Sequence, residues 1–197
     1  MLECTSPRVI RGLLTRALAD RDIDPAGLRV LDVGAGNGMV GEEIRALGAG
    51  TVYGVDIIEE AAQAAARDRP DVYDGYLVAD LTTLGPAQRE ALTARRFNTM
   101  TTVAALGFGD IPPAAFTAAF NLVETSGLIA FTIKEDFVAD HDATGFSRLI
   151  KRMFAEEVIT LIADEHYRHR LSVRREPLYY VAYVARKLRD IPAHWAG

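Results

Sequence analysis

Cysteine is nearly missing from this chain: its 197 residues hold one, Cys4. That excludes an internal disulfide framework and fits a reducing compartment. Long apolar runs are missing too, and none approaches the roughly 18–20 residues that a bilayer-spanning helix needs. The chain does not open with a charged segment, an apolar stretch and a small-residue cleavage site, so the expected setting is the cytoplasm, with no membrane partner. An excess of basic charge is also lacking. Against 27 acidic residues stand 22 Lys and Arg, a formal net charge of −5, which argues against a nucleic-acid partner. No ligand spacing for a metal, internal repeat, low-complexity segment or linker is present. What remains is a globular composition, 49% apolar and 25% charged, in a chain long enough for one domain with a full core.

Against this background one stretch stands out. Val30-Leu31-Asp32-Val33-Gly34-Ala35-Gly36-Asn37-Gly38 is an apolar run that ends in an acid and then in three alternating glycines. A buried parallel strand running into a tight turn ahead of a helix has this form. Glycine reaches φ > 0 and, lacking Cβ, lets a ligand lie against bare backbone. A second apolar run, 51–55, ends in Asp56, an acid placed to accept from the two hydroxyls of a ribose. A nucleoside cofactor is the expectation. The dinucleotide fingerprint G-x-G-x-x-G/A would put its small third residue at Met39, which is too large for close helix–strand packing.

The spacing G-x-G-x-G instead resembles the first motif of the class I, Rossmann-like methyltransferases that use S-adenosylmethionine. The resemblance extends to Asp56 and to Leu77-Val78-Ala79-Asp80-Leu81. More loosely, the chain from Asp32 to Lys187 is similar to the methyltransferase-like proteins of the Williams–Beuren region. The implied cofactor is S-adenosyl-L-methionine. By the family pattern, Gly34, Ala35, Gly36, Asn37 and Gly38 line its amino-acid part and Asp32 orients that loop and approaches the amino group, directly or through water. Asp56 takes the ribose, Ile57 flanks the adenine, and Asp80 with the Leu81 N–H meets the adenine edge, with Val103 nearby. Each acid taken alone also reads as an ordinary turn residue; three at successive strand ends beside a glycine loop favour the site.

Hydrophobic periodicity supplies the rest of the fold. Ser6-Pro7 reads as an N-cap and first-turn proline, and Val9, Ile10, Leu13, Leu14, Ala17 and Leu18 form one helical face. Strands are expected at 29–33, 51–55, 75–79, 97–103 and 127–133, the fourth interrupted by Asn98, Thr99, Thr101 and Thr102. Helices are expected at 38–47, 59–67, 86–94, from Pro112-Pro113 onward, and at 146–154. The segments 158–171 and 178–186 are both extended with no helix between, so they form an antiparallel hairpin. In the family that this chain resembles, the last strand inserts antiparallel between strands five and six. The expected fold is α/β: a doubly wound, mostly parallel seven-stranded sheet, helices on both faces, an N-terminal helix in 1–28, a core in 29–187 and a tail at 188–197.

The acceptor side is less defined. Val103-Ala104-Ala105-Leu106-Gly107-Phe108-Gly109-Asp110 departs from the Asn/Asp-Pro-Pro-aromatic signature of base and amide N-methyltransferases. Leu106 and Phe108 are candidates to line a substrate pocket, and Asp110 to begin a helix. His141, in a loop after the fifth strand, is the candidate general base, with an idle surface histidine as the alternative. His166 and Arg168 should share one strand face, Tyr167 and His169 the other. Arg168, Arg170, Arg174 and Arg175 make a basic cluster at a solvated edge. Only about one helix precedes the first strand, so an open pocket, or closure by the 134–144 loop or a second chain such as a homodimer partner, is expected, unless the chain is a piece of a longer protein. The function expected is methyl transfer to a small molecule. A nicotinamide oxidoreductase or a non-catalytic cofactor-binding partner subunit is the alternative.

Overall fold

The computed structural model describes residues 4–106, 110–137, 145–171 and 176–195. Its strands are β1 (Arg29–Val33), β2 (Thr51–Asp56), β3 (Gly75–Val78), β4 (Thr99–Leu106), β5 (Leu128–Lys134), β6 (Ile159–Leu171) and β7 (Pro177–Lys187). They form one sheet in the order β3-β2-β1-β4-β5-β7-β6. The first five are parallel, and β7 runs antiparallel to both β5 and β6. This is the doubly wound sheet with a terminal hairpin expected from the sequence. The order reverses between β1 and β4, and in such sheets the crevice at that reversal, outside the carboxyl ends of the strands, is where ligands bind.

Helices cover both faces. On one side lie α1 (Ser6–Ala19), α2 (Met39–Leu47) and α3 (Glu59–Asp68); on the other, α4 (Pro86–Thr93), α5 (Pro113–Asn121) and α6 (Phe146–Ala155). Two buried clusters sit between helices and sheet: Ile10, Leu14, Ile44 and Val52 under α1 and α2, and Leu92, Phe116, Phe131 and Met153 under the other three. The central strands are apolar on both faces because both faces are covered. Helix α2 is bounded by two left-handed glycines, Gly38 at its start (φ 87°) and Gly48 at its end (φ 99°), where the Gly48 N–H satisfies the Arg45 and Ile44 carbonyls. No helix among the described residues is long and apolar enough to cross a membrane.

The start of α1 differs from expectation. Thr5, not Ser6, is the N-cap residue. Ser6 is buried inside the first turn, where its hydroxyl meets the Tyr167 hydroxyl and lies 2.7 Å from His169 Nδ1. Thr5 Oγ1 donates to the Arg168 and His169 carbonyls. Local capping chemistry gives way here to a tertiary one: the helix start is fastened to β6. Tyr167 and His169 are buried and His166 and Arg168 exposed, as period-two alternation requires.

The other end of the sheet is fastened by a buried cation. Lys187, 1% exposed, closes β7 and sends its Nζ to the carbonyls of Phe120 (3.0 Å) and Val123 (2.6 Å) at the end of α5, and to Asp190 Oδ1 (2.6 Å). Three N–H donors find three acceptors, at a helix terminus where positive charge is favoured. Lys187→Met keeps much of the side-chain volume but loses these bonds. It should lower unfolding free energy by about 2–3 kcal/mol in urea titration; a change below 0.5 kcal/mol would show the ammonium to be idle.

Candidate cofactor site

The bend after β1 is a run of left-handed residues. Gly34, Gly36 and Gly38 have φ of 68°, 54° and 87°, a region that L side chains rarely adopt. At Gly34 space adds a second reason: a Cβ there would sit 2.8 Å from Ile111 Cδ1 and 3.0 Å from Ala105 Cβ. The bend is held from β2. The N–H groups of Gly34 and Ala35 both donate to the Val55 carbonyl, and the Gly36 N–H donates to Asp56 Oδ2 at 2.8 Å. Asp56 Oδ1 accepts from the Ile58 N–H at 3.1 Å. The carboxylate is thus fixed in one orientation at the mouth of the bend.

Beside it opens a cavity of about 320 Å³ at the carboxyl ends of β1 to β4. Gly34, Asp56, Ile57, Ile58, Asp80 and Leu81 line it, together with Ala105, Asp110, Ile111, Pro112 and Ala115. Ile57 and Ile58 are 60% and 53% exposed, unusual for residues of this size and suited to cover an apolar ring. Asp80 forms a turn of its own, with Oδ1 accepting from the Thr82 N–H (2.8 Å) and hydroxyl (2.7 Å), and these bonds hold its carboxyl below the usual range. Among the described residues the Leu81 N–H in that turn has no acceptor, so it remains able to donate into the cavity. Asp56, Asp80 and Leu81 thus come together around one space.

Two predicted positions lie elsewhere. Val103 and Leu106 are 7% and 1% exposed, packed into the core and absent from the cavity lining. The cause is a bulge. Between Thr102 and Leu106 β4 slips register against β5, with Ala104 at φ 57° and its N–H donating to Thr132 Oγ1 at 2.7 Å. Four steps along β4, from Thr102 to Leu106, oppose two along β5, from Phe131 to Ile133, and the irregularity re-aims the side chains within it, so that Ala105, not Val103, lines the cavity. Asp110 lines the cavity rather than starting α5, whose N-cap is Pro112. Phe108, His141, Arg174 and Arg175 lie outside the described residues. His166 pairs with Glu135 Oε2 at 2.9 Å.

Sequence reasoning missed the support beneath the bend. Asp32, 1% exposed, does not reach the loop amides. Its oxygens accept from the Tyr73 hydroxyl and the Thr101 hydroxyl, each at 2.7 Å. Burial lifts its carboxyl to about 6, opposed by those two donors and helped by the charge of Asp56. Tyr76 donates to the Gly36 carbonyl at 2.9 Å, and Arg69 to the Asn37 carbonyl at 3.1 Å. Tyr73 also fills the space above Gly41, where a Cβ would meet its ring at 2.6 Å. The close approach that a dinucleotide motif places at the third glycine falls here at Gly41. One signal was available: a threonine such as Thr101 inside a buried strand needs a polar partner.

The family model of a methyltransferase domain matches residues 5–172. The ubiquinone biosynthesis O-methyltransferase of Neisseria meningitidis serogroup C (strain 053442) is 30% identical over 119 residues, 57% of this chain and 47% of that protein. The chain spans about half the length of that curated relative. Among solved structures, the Thermoplasma acidophilum protein 1320 superposes with a TM-score of 0.64 at 18% identity, covering 91% of this chain and 85% of its own. Magnesium protoporphyrin IX methyltransferase from Synechocystis PCC 6803 with bound S-adenosylhomocysteine gives 0.62 at 16%, covering 92% and 82%. At such identities these share the fold. The chain belongs to the methyltransferase-domain family.

Asp32 and His169 give stability opposite pH dependences. Asp32 is raised from 3.8 to about 6, so its contribution is full below 3.8 and lost as pH rises through 6. His169 is lowered by burial from 6.5 to about 4, so its contribution is present above 6.5 and lost as pH falls through 4. Between pH 4 and 6 the two nearly cancel. Urea denaturation of His169→Gln should therefore show stability rising on acidification across that window, and Asp32→Asn should show it falling, each by on the order of 1–3 kcal/mol. Identical profiles for the two variants would refute this assignment.

Proposed function

We propose that this domain transfers a methyl group from S-adenosylmethionine to a small-molecule acceptor by in-line displacement. The observation that carries the reading is the convergence of the glycine bend, the preset Asp56 carboxylate and the Leu81 N–H on one cavity at the sheet's reversal point. When bound, the cofactor supplies an activated methyl group on a sulfonium leaving group. The chain's task is to hold, orient and keep dry. Asp56, already oriented by Gly36 and Ile58, offers its remaining lone pairs to ribose hydroxyls. Asp80 and Leu81 read the adenine edge, and Ile57 and Ile58 pack on its face. Positioning of this kind can supply roughly 7–11 kcal/mol of a barrier, so a conspicuous catalytic base is not required.

The name of the Neisseria relative supports oxygen as the accepting atom and a small molecule as the substrate class, and the acidic charge balance of −5 disfavours nucleic acid. The lone Cys4 supports a cytoplasmic setting. Closure of the acceptor side by a second copy of the chain is part of the proposal, beside the lining that Ala105, Asp110, Ile111, Pro112 and Ala115 supply.

Titration calorimetry with S-adenosylhomocysteine should show binding at micromolar to sub-millimolar concentration; none at millimolar ligand, or preferential binding of NADH, would overturn the reading. Asp56→Ala removes the ribose acceptor and frees the Gly36 N–H together. It should weaken binding by at least 1–2 kcal/mol, roughly tenfold, and an unchanged affinity would reject that role. Transfer of labelled methyl from the cofactor into an extract component would separate an enzyme from a non-catalytic partner subunit.

A further inference from the structure

Two local costs meet at the end of β4. Ala104 is held in the left-handed region at φ 57°, where a side chain is disfavoured relative to glycine. Thr102 Oγ1 is buried with no hydrogen-bond partner among the described residues, which also disfavours the folded state. Both belong to the irregularity between Thr102 and Leu106. Strained backbone persists only where the surrounding structure over-determines it, and it gathers at functional sites. Here the determining residue is Thr132, buried on β5, whose Oγ1 accepts the Ala104 N–H at 2.7 Å. A side-chain oxygen thus takes the place that a backbone carbonyl has in a regular ladder. The same hydroxyl is hydrogen-bonded to Tyr167, which meets Ser6 at the start of α1, so it is steadied from behind.

The clamp acts one residue further on. Ala105 lines the cavity and Thr132 does not. Ala105 also packs onto the glycine bend so closely that a Cβ at Gly34 would lie 3.0 Å from its own. With the Ala104 N–H released, β4 is free to pair regularly with β5, and a strand whose register slips by one turns its side chains to the opposite faces. Ala105 would then leave the wall. We propose that Thr132 is a positioning residue for the cofactor cavity: its hydroxyl holds Ala104 left-handed and thereby keeps Ala105 on the wall against the bend. The inference rests on the cofactor reading above. It gives a buried threonine, outside the cavity and outside every motif, control over the shape of the cavity's β4 side.

The test is calorimetry on the full chain with S-adenosylhomocysteine as the probe, each variant first shown by circular dichroism to be folded at the assay temperature. Thr132→Val keeps the side-chain shape and removes the acceptor, so affinity should fall about tenfold. Thr132→Ser keeps the oxygen and should stay within about threefold of the unaltered protein. The decisive arm joins Thr132→Val to Ala104→Gly. Glycine adopts this φ without a clamp, so affinity should return to within about threefold of the unaltered protein although the hydroxyl is still missing. Should Thr132→Val not fold, Ala104→Val replaces it: a β-branched residue resists the left-handed region with Thr132 intact, and binding should again weaken about tenfold. Unchanged affinity in the variant so used, or a double variant as weak as Thr132→Val alone, would overturn the proposal and leave the cofactor reading standing. Failure of the unaltered protein to bind the probe would overturn the cofactor reading itself.

Discussion

A strand that ends in the middle of a sheet must turn its chain sharply while leaving its last amides facing open space. Three left-handed glycines after β1 accomplish this, and most of what surrounds the site follows from them. Because three of its five residues are glycines, the bend has few side chains of its own to hold it, and other elements do so. Asp56 takes the Gly36 amide from one side, Tyr76 takes the Gly36 carbonyl from the other, and the Val55 carbonyl anchors Gly34 and Ala35. The loop is thus bare toward the cavity and fully tied behind. Rigidity of this kind places binding groups before any ligand arrives.

The support also has a cost. A carboxylate with 1% exposure and, among the described residues, no cation beside it disfavours the folded state at neutral pH. Asp32 keeps its place only because Tyr73 and Thr101 solvate it in water's stead. Lys187 shows the opposite solution: a buried charge whose three donors are all met within the chain, and which serves the fold alone.

Periodicity sufficed for the strands and helices because each is long enough to show its period and is punctuated by glycine or proline. The terminal hairpin was readable from the missing helix between 171 and 177. What escaped was tertiary. Ser6 had the right residue type for a cap, yet its hydroxyl is spent on Tyr167 and His169, more than a hundred and sixty positions away. Nothing local marks Ala104 as left-handed, so the bulge that turns Val103 and Leu106 away from the cavity could not be foreseen. Asp56, Asp80 and Leu81, which line the cavity, could be singled out because a motif ties them to strand ends, whereas Tyr73 lies in a connection with no motif. Thr99, Thr101 and Thr102 were noted as interruptions of an apolar strand. One of the three, Thr101, is the partner that a buried acid needs.

The hairpin has a further consequence for how the chain assembles on the ribosome. Since β7 lies between β5 and β6, β6 emerges first but has nowhere to pair until Pro177–Lys187 has followed it. For that interval β5 presents a long unpaired edge of apolar sequence, a template for pairing with other chains. Nascent polypeptides would meet that hazard late in synthesis, when the β1–β5 portion is already out. Holdase chaperones that shield open sheet edges should therefore matter to the yield of this protein.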